Sequence, residues 1–207
     1  MNSKSFVLTI ALTIGIIYQS FAQYKEPEEK DKKQIFYPEV VFDSLQAKSM
    51  LAKGKGTIKG VAFTKAKNNM GFRAGARILA NQIKVILLPV TPYFEAWYQL
   101  RKDKENFRKR QYVYLSTAAY RYRLEAVTNS DGKFTFPEMK PGKYFLQGFL
   151  DWTSNGYYNE YTGTGYNSYG GQTNYYQSKK YSVDHQDRIE EFVEIKENGE
   201  VVKVRLH

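Results

Sequence analysis

Residues 129–149, "NSDGKFTFPEMKPGKYFLQGF", are the most regular passage of the chain. Phe134 and Phe136 alternate with polar neighbours, and Tyr144, Leu146, Gly148 and Leu150 repeat that spacing on the next run. A period of two places such residues on one face of a β-strand, so Phe134, Phe136, Tyr144 and Leu146 are expected in the core. Phe145, Phe149 and Asp151 fall on the opposite face. Two turns frame the strands. Asn129 to Gly132 suits a tight turn because Asn and Gly accept positive φ and Asp131 bonds its own backbone. Pro141-Gly142 makes the second turn, with Gly142, like Gly132, expected at positive φ. Asp131, Gly132, Pro141 and Gly142 are therefore structural turn residues, and the passage reads as scaffold.

The same logic extends upstream. "TIKGVAFTK" alternates Ile58, Val61 and Phe63 in the strand period, with Gly60 at a bulge or close approach. "AKNNMGFRAG" is a turn region, expected to form a hairpin into the apolar run "NQIKVILLPVTPY". In that run Ile83, Val85 and Leu87 alternate with Lys84, Ile86 and Leu88, which predicts a strand buried on one face and partly covered on the other. Thr91 can cap a helix that has Pro92 at its first position. That inserted helix, 92–111, sets Phe94, Trp97 and Tyr98 near one side and ends in "RKDKENFRKR". Its terminal charges suit the helix dipole, while membrane or nucleic-acid binding is the sharper alternative. "YVYLSTAAYRYRLEAVT" reads as strand, with Tyr120, Tyr122, Leu124 and Ala126 on one face. Earlier in the chain Asp43 or Ser44 can cap a short helix carrying Leu45, Met50 and Leu51. "ENGE" around Asn198 and Gly199 predicts a hairpin into a last strand with Val202, Val204 and Leu206. Short strands punctuated by turns indicate a mainly β, antiparallel sandwich.

Composition agrees with a folded domain: 42% of residues are apolar, 16% aromatic and 25% charged. Residues 1–22, with Lys4, an apolar run from Phe6 to about Tyr18, and Ser20 and Ala22 before Gln23, have the pattern of a secretory signal peptide. The apolar run is about 13 residues where a bilayer span needs about 20, and an uncleaved anchor is the alternative. The end "SFAQ" is similar to signal peptides of Bacteroidetes-type Gram-negative bacteria. A charged leader and the short helix fill 23–53. The expectation is an exported protein, periplasmic, outer-membrane-associated or extracellular. Having no cysteine, it has no disulfide, no thiol nucleophile and no lipid-modified cysteine. The formal charge of +10 would suggest nucleic acid in a cytoplasmic protein. For an exported one the anionic candidates are lipopolysaccharide, acidic glycans, phospholipid headgroups or an acidic protein surface, and solubility is the plain alternative.

"GTIKGVAF", then "IKVILLP", then "AVTNSDGKFTFPEMKPGKYFLQG" resemble the carboxypeptidase regulatory-like domain. The family's Asp-Gly-x-Phe-x-Phe and Pro-Gly-x-Tyr turns map onto Asp131, Gly132, Phe134, Phe136, Pro141, Gly142 and Tyr144. The resemblance covers 54–207, with the helix and a Tyr-rich segment as insertions, and implies a prealbumin-like (transthyretin-like) seven-stranded antiparallel sandwich. "LAKGKGTIKGVAFTK…LLPVTPYFEAW" also looks like a subgroup of exported bacterial proteins that has no assigned activity. The resemblance implies no peptidase, metal or cofactor, and the domain hosts many functions.

Catalytic chemistry is sparse. His185 and His207 are the only histidines and lack a zinc spacing, although Asp184 and Asp187 flank His185. "NSDG" lacks the further ligands of a calcium loop. Glu190 and Glu191 are a possible carboxylate pair with nothing to set them across a cleft. Binding has more support. Residues 153–180, read as a loop or floppy hairpin, interleave tyrosines with Gly, Asn, Ser and Thr, the composition of recognition loops. The candidate binding residues are Trp152, Tyr157, Tyr158, Tyr161, Tyr166, Tyr169, Tyr175 and Tyr176. The expected function is a non-catalytic interaction or structural module of the cell envelope, an accessory subunit of an outer-membrane or periplasmic assembly. The alternative is a carbohydrate-binding protein that uses the same tyrosines. No nucleic-acid partner is expected.

Overall fold

The computed structural model describes residues 32–67 and 72–207. The expected signal peptide, the leader up to residue 31 and residues 68–71 of the expected turn region 66–75 lie outside the described residues; the strand that β2 pairs with after them is Arg73–Leu79, and the 81–93 run expected as the hairpin partner lies in the other sheet. Along the rest run β1 (Gln34–Phe36), α1 (Ser44–Met50), β2 (Gly56–Lys67), β3 (Arg73–Leu79), β4 (Lys84–Pro89), α2 (Pro92–Lys104) and β5 (Gln111–Val113). They are followed by α3 (Thr117–Arg121), β6 (Leu124–Val127), β7 (Lys133–Met139), β8 (Gly142–Tyr166), β9 (Gln172–Ile195) and β10 (Val201–Leu206). The protein is mainly β.

Ten strands are present among the described residues, against the seven expected. In the first sheet β2 pairs antiparallel with β3 and β7 and parallel with β10. The second sheet runs β6-β4-β8-β9 and is antiparallel throughout. β1 and β5 form a separate parallel pair. Ile58, Phe134, Phe136 and Leu206 from the first sheet and Val85, Leu87, Tyr144, Leu146 and Ile189 from the second share one core. Phe134, Phe136, Tyr144 and Leu146 are buried as their period requires.

Both turns of the opening passage carry the chain between sheets. β6 lies in the second sheet, β7 in the first and β8 in the second again, so these are crossovers and not hairpins. The Asn198-Gly199 turn likewise leads from β9 in one sheet to β10 in the other, which corrects the expected hairpin. Asn and Gly specify that the chain reverses, but the flanking apolar faces decide whether the two strands bond or face each other across a core. In the first turn the side chain that holds the backbone is Asn129, whose Oδ1 accepts from Asp131 N (3.0 Å) and Lys133 N (2.9 Å). Asp131 instead pairs with Lys133 Nζ at 3.0 Å. Gly132 (φ 72°) and Gly142 (φ 153°) both take positive φ. A Cβ on Gly132 would also stand 2.4 Å from the Ala62 carbonyl oxygen of β2. Gly60 serves close approach: it pairs with Phe134, whose ring lies where a Cβ would sit.

β4 is buried on both faces from Val85 to Pro89. One face meets the shared core. On the other, Ile86 and Leu88 join Phe145 beneath Phe94 and Trp97 of α2 and Val113 of β5. α2 starts as the sequence predicts, with Thr91 Oγ1 accepting from Phe94 N at 3.3 Å and Pro92 in the first turn. α1 is capped by Asp43, but Ala47 is its buried residue and Leu45 is exposed. The expected strand around Tyr120 and Tyr122 is α3, where the Ser116 hydroxyl accepts from Ala119 N at 3.2 Å. Such a cap outweighs a short period-two pattern when two alanines follow it.

Phe136→Ala leaves a cavity between the sheets and is expected to cost about 3 to 5 kcal/mol, read as a lowered midpoint in thermal or urea unfolding. Tyr144 is buried, and its hydroxyl donates to the carbonyls of Lys140 (2.8 Å) and Met50 (3.0 Å). Burial holds the Tyr144 phenol above its ordinary value of 10.0. Because the folded value exceeds the unfolded one, this contribution to stability is full below about pH 10 and is lost as pH rises through the folded value. Unfolding titrations from pH 8 to 11 should show that alkaline loss in the wild type and a smaller one in Tyr144→Phe.

Candidate functional site

The Tyr-rich segment is regular structure. β8 and β9 pair without interruption from Gly142↔Ile195 to Tyr161↔Tyr176, then, after a one-residue shift at Thr162, from Gly163↔Tyr175 to Tyr166↔Gln172. β4 accompanies β8 only as far as Gly148, so beyond that point the two strands form a free ribbon. At about 3.3 Å per residue the stretch from Gly148 to Tyr166 is roughly 60 Å long. Thr and Tyr suit a pleated backbone, and the ring of Tyr181 covers Gly156 as the ring of Tyr175 covers Gly165. Of the two forms expected here, loop or floppy hairpin, the segment takes the hairpin, and its regularity comes from cross-strand partners, which composition does not show.

Alternation and the shift at Thr162 sort the candidate residues by face. Tyr158 and Tyr175 share one face with Tyr181, a residue absent from the expected set. Tyr157, Tyr161, Tyr166 and Tyr176 share the other, and Tyr169 lies in the end turn. All are exposed, from 47% for Tyr158 to 96% for Tyr169. Tyr161 and Tyr176 meet edge-on at 5.9 Å, and Tyr158 and Tyr181 are tilted by 49° at 6.3 Å. The Tyr161 hydroxyl bonds Thr164 Oγ1, which in turn donates to Asn174 Oδ1 at 2.7 Å. Glu160 pairs with Lys179 across the strands. Tyrosines held by such partners present aromatic faces and hydroxyls together at little entropy cost.

Trp152 stands apart from this array. Its ring stacks on His185 with centroids 4.2 Å apart, and its Nε1–H donates to Asp187 Oδ2 at 3.0 Å. Asp187 also accepts from Thr64 Oγ1 (2.6 Å) and pairs with Arg73 Nη1 (3.3 Å). Thr64 belongs to β2 and Arg73 to β3, so this carboxylate fastens the base of the ribbon to the opposite sheet. The three residues considered for a metal are thereby spread over different partners, because Asp184 takes Thr153 Oγ1 at 2.7 Å and His185 Nε2 bonds Ser154 Oγ at 2.8 Å. Among the described residues no cluster of His, Asp and Glu is arranged to hold a metal ion.

Glu190 and Glu191 lie on opposite faces of β9, paired with Gln147 and Leu146 respectively. They do not form a carboxylate pair. Glu190 instead receives Arg101 of α2 in a two-pronged pair at 2.8 and 2.6 Å, together with Gln147 Nε2 at 2.6 Å. Arg101 is 5% exposed and its guanidinium lies over Trp97 and Tyr98. In the sequence Arg101 belongs to the run of charges that suits the helix dipole. Its spacing four residues after Trp97, on the buried face of the helix, was the available signal. Arg188 completes the network through Glu105 Oε2 at 2.8 Å and Glu190 Oε1 at 3.1 Å. Burial alone would lower the Arg188 guanidinium, but the Glu105 bond and the charges of Glu190 and Glu105 outweigh it and raise it.

No protein-family model matches the chain, and no curated protein matches it in sequence. Among solved structures the chain is similar to a crystal structure from Pseudomonas aeruginosa described as a "putative carbohydrate binding protein". The TM-score is 0.53 at 19% identity, and the match covers 83% of this chain and 99% of the other. That likeness extends to the fold.

Replacing Asp187 with Ala removes the acceptor of Trp152 Nε1 and Thr64 Oγ1 and the counter-charge of Arg73, and is expected to cost about 2 to 3 kcal/mol. Hydrogen exchange should show the cost locally, as faster exchange of amides in 152–185 with the amides of β4 unchanged.

Proposed function

We propose that this chain is an exported, non-catalytic binding protein whose ribbon tyrosines take carbohydrate. The observation that carries the proposal is the ribbon itself: tyrosines stand exposed on both faces of a paired strand structure, interleaved with Asn, Gln, Ser and Thr. An aromatic face packs against the C–H surface of a pyranose, and the amides and hydroxyls beside it bond the ring hydroxyls. The description carried by the Pseudomonas structure names the same ligand class for that protein. Export is supported by residues 1–22. Membership of the carboxypeptidase regulatory-like domain, with its prealbumin-like sandwich, belongs to the same proposal and is supported by the Asp131-Gly132 and Pro141-Gly142 turns.

A protein partner in an envelope assembly is the second reading. It is favoured by the edge-on and tilted meeting of the tyrosine rings, which offers no flat platform. Among the described residues no third strand pairs with the ribbon beyond Gly148, and an edge of that kind accepts an added strand.

A glycan array separates the two readings. The wild-type protein should bind a defined class of glycans, and the combined Tyr157→Ala, Tyr158→Ala and Tyr161→Ala variant should lose about tenfold or more of that binding. A blank array together with a stoichiometric envelope protein copurifying with the tagged chain would replace the carbohydrate reading with the second one.

A further inference from the structure

The outer face of the second sheet holds a cleft of about 550 Å³ between α2, β5 and the strands β8 and β9. Its volume falls in the range of small-ligand sites, about 300 to 1,000 Å³. Tyr112 of β5 and Tyr114 just beyond it line the cleft with rings 17° from parallel, Lys33 Nζ covers one side of the pair at 4.9 and 5.3 Å, and Phe149 of β8 lines the cleft with half its surface exposed. Phe149 was expected on the face away from the core. An aromatic side chain left in water inside a concavity is a contact surface awaiting an apolar partner.

The polar lining is arranged differently from an ion site. Arg101 and Arg188 are balanced by Glu105 and Glu190 through the pairs described above, so the network has no net charge. Yet its bonding capacity is unspent. Arg188 uses Nη2 and Nε on the two carboxylates, and its Nη1 takes no partner among the described residues. Gln147 and Gln186 donate through Nε2 to Glu190 and Asp151, and among the described residues their Oε1 atoms accept no hydrogen bond. Donors and acceptors fixed at one end, Arg188 by ion pairs and the two glutamines by hydrogen bonds to carboxylates, and open at the other are what vicinal hydroxyls require, since each hydroxyl both donates and accepts. A carboxylate or phosphate would find Arg188 already neutralised.

We propose that this cleft is a second saccharide site, separate from the ribbon, and that it takes a neutral pyranose unit with one ring face on the Tyr112, Tyr114 and Phe149 surface. The ligand class rests on the carbohydrate reading, but the site does not depend on the ribbon.

Trp97 lines the same cleft, and the only other tryptophan is Trp152 at the ribbon base. In a Trp152→Phe protein, Trp97 emission therefore reports the cleft alone. The probes are the methyl glycosides of glucose, galactose, mannose and N-acetylglucosamine, with glucuronate as the charged comparison. At least one neutral glycoside should change Trp97 emission saturably, with a Kd on the order of millimolar, and Tyr114→Ala or Phe149→Ala should weaken it about tenfold. Saturation-transfer NMR with the same glycosides on the wild-type protein repeats the measurement if Trp152→Phe does not fold.

Silence towards every neutral glycoside, a response untouched by both substitutions, or a preference for glucuronate would overturn the proposal. An array signal lost in the ribbon variant, with Trp97 silent, would retain the carbohydrate reading and remove the cleft. A Trp97 response with array binding indifferent to the ribbon variant would support the cleft and move the carbohydrate reading onto it.

Discussion

The strand β4 cannot be left with a solvated face, and much of the molecule follows from that constraint. Val85, Ile86, Leu87 and Leu88 are buried in succession, so both sides of the sheet β6-β4-β8-β9 require cover. At about 25 cal/mol per Å² of apolar surface, either face left open would offset a large share of a domain's stability. The first sheet covers one side through Ile58, Phe134 and Phe136. The helix α2 and the strand β5 cover the other through Phe94, Trp97 and Val113. The helix α2 is thus part of the frame.

The cover over the outer face has a second consequence. α2 turns Arg101 towards the sheet together with Trp97, and a buried guanidinium without a counter-charge would be strongly unfavourable. Glu190 supplies that charge from β9, and Arg188, Glu105 and Gln147 extend the arrangement outward to where α2 no longer shields the strands. The open cleft begins at that margin. On the other side of the same two strands, Asp187 fastens the ribbon base to Thr64 and Arg73. A ribbon two strands wide has little core of its own, so this anchorage and the cross-strand tyrosine contacts are what give its exposed rings fixed positions.

Much of the frame was legible from short-range pattern. Alternation placed Phe134, Phe136, Tyr144 and Leu146 inside, and Thr91 with Pro92 announced the start of α2, because both signals act between residues close in sequence. Alternation misled at Tyr120 and Tyr122, where the Ser116 cap made a helix. In the ribbon, glycine and asparagine read as loop or floppy hairpin, while the register of β8 on β9 and the rings over Gly156 and Gly165 make it a regular strand pair. Tyr181, Arg101 and the polar lining of the cleft escaped for a shared reason: their significance depends on a partner tens of residues away.

By itself the sequence determined which residues seek the interior and where the chain reverses, since apolar spacing and turn chemistry are properties of neighbours. Only the tertiary structure decided that the Asn129–Gly132 and Pro141–Gly142 turns cross between sheets, that β10 lies parallel to β2, and that the tyrosines divide between two faces of a ribbon. Those outcomes are set by which surfaces can be buried together. That is a property of the whole chain, and no single segment carries it.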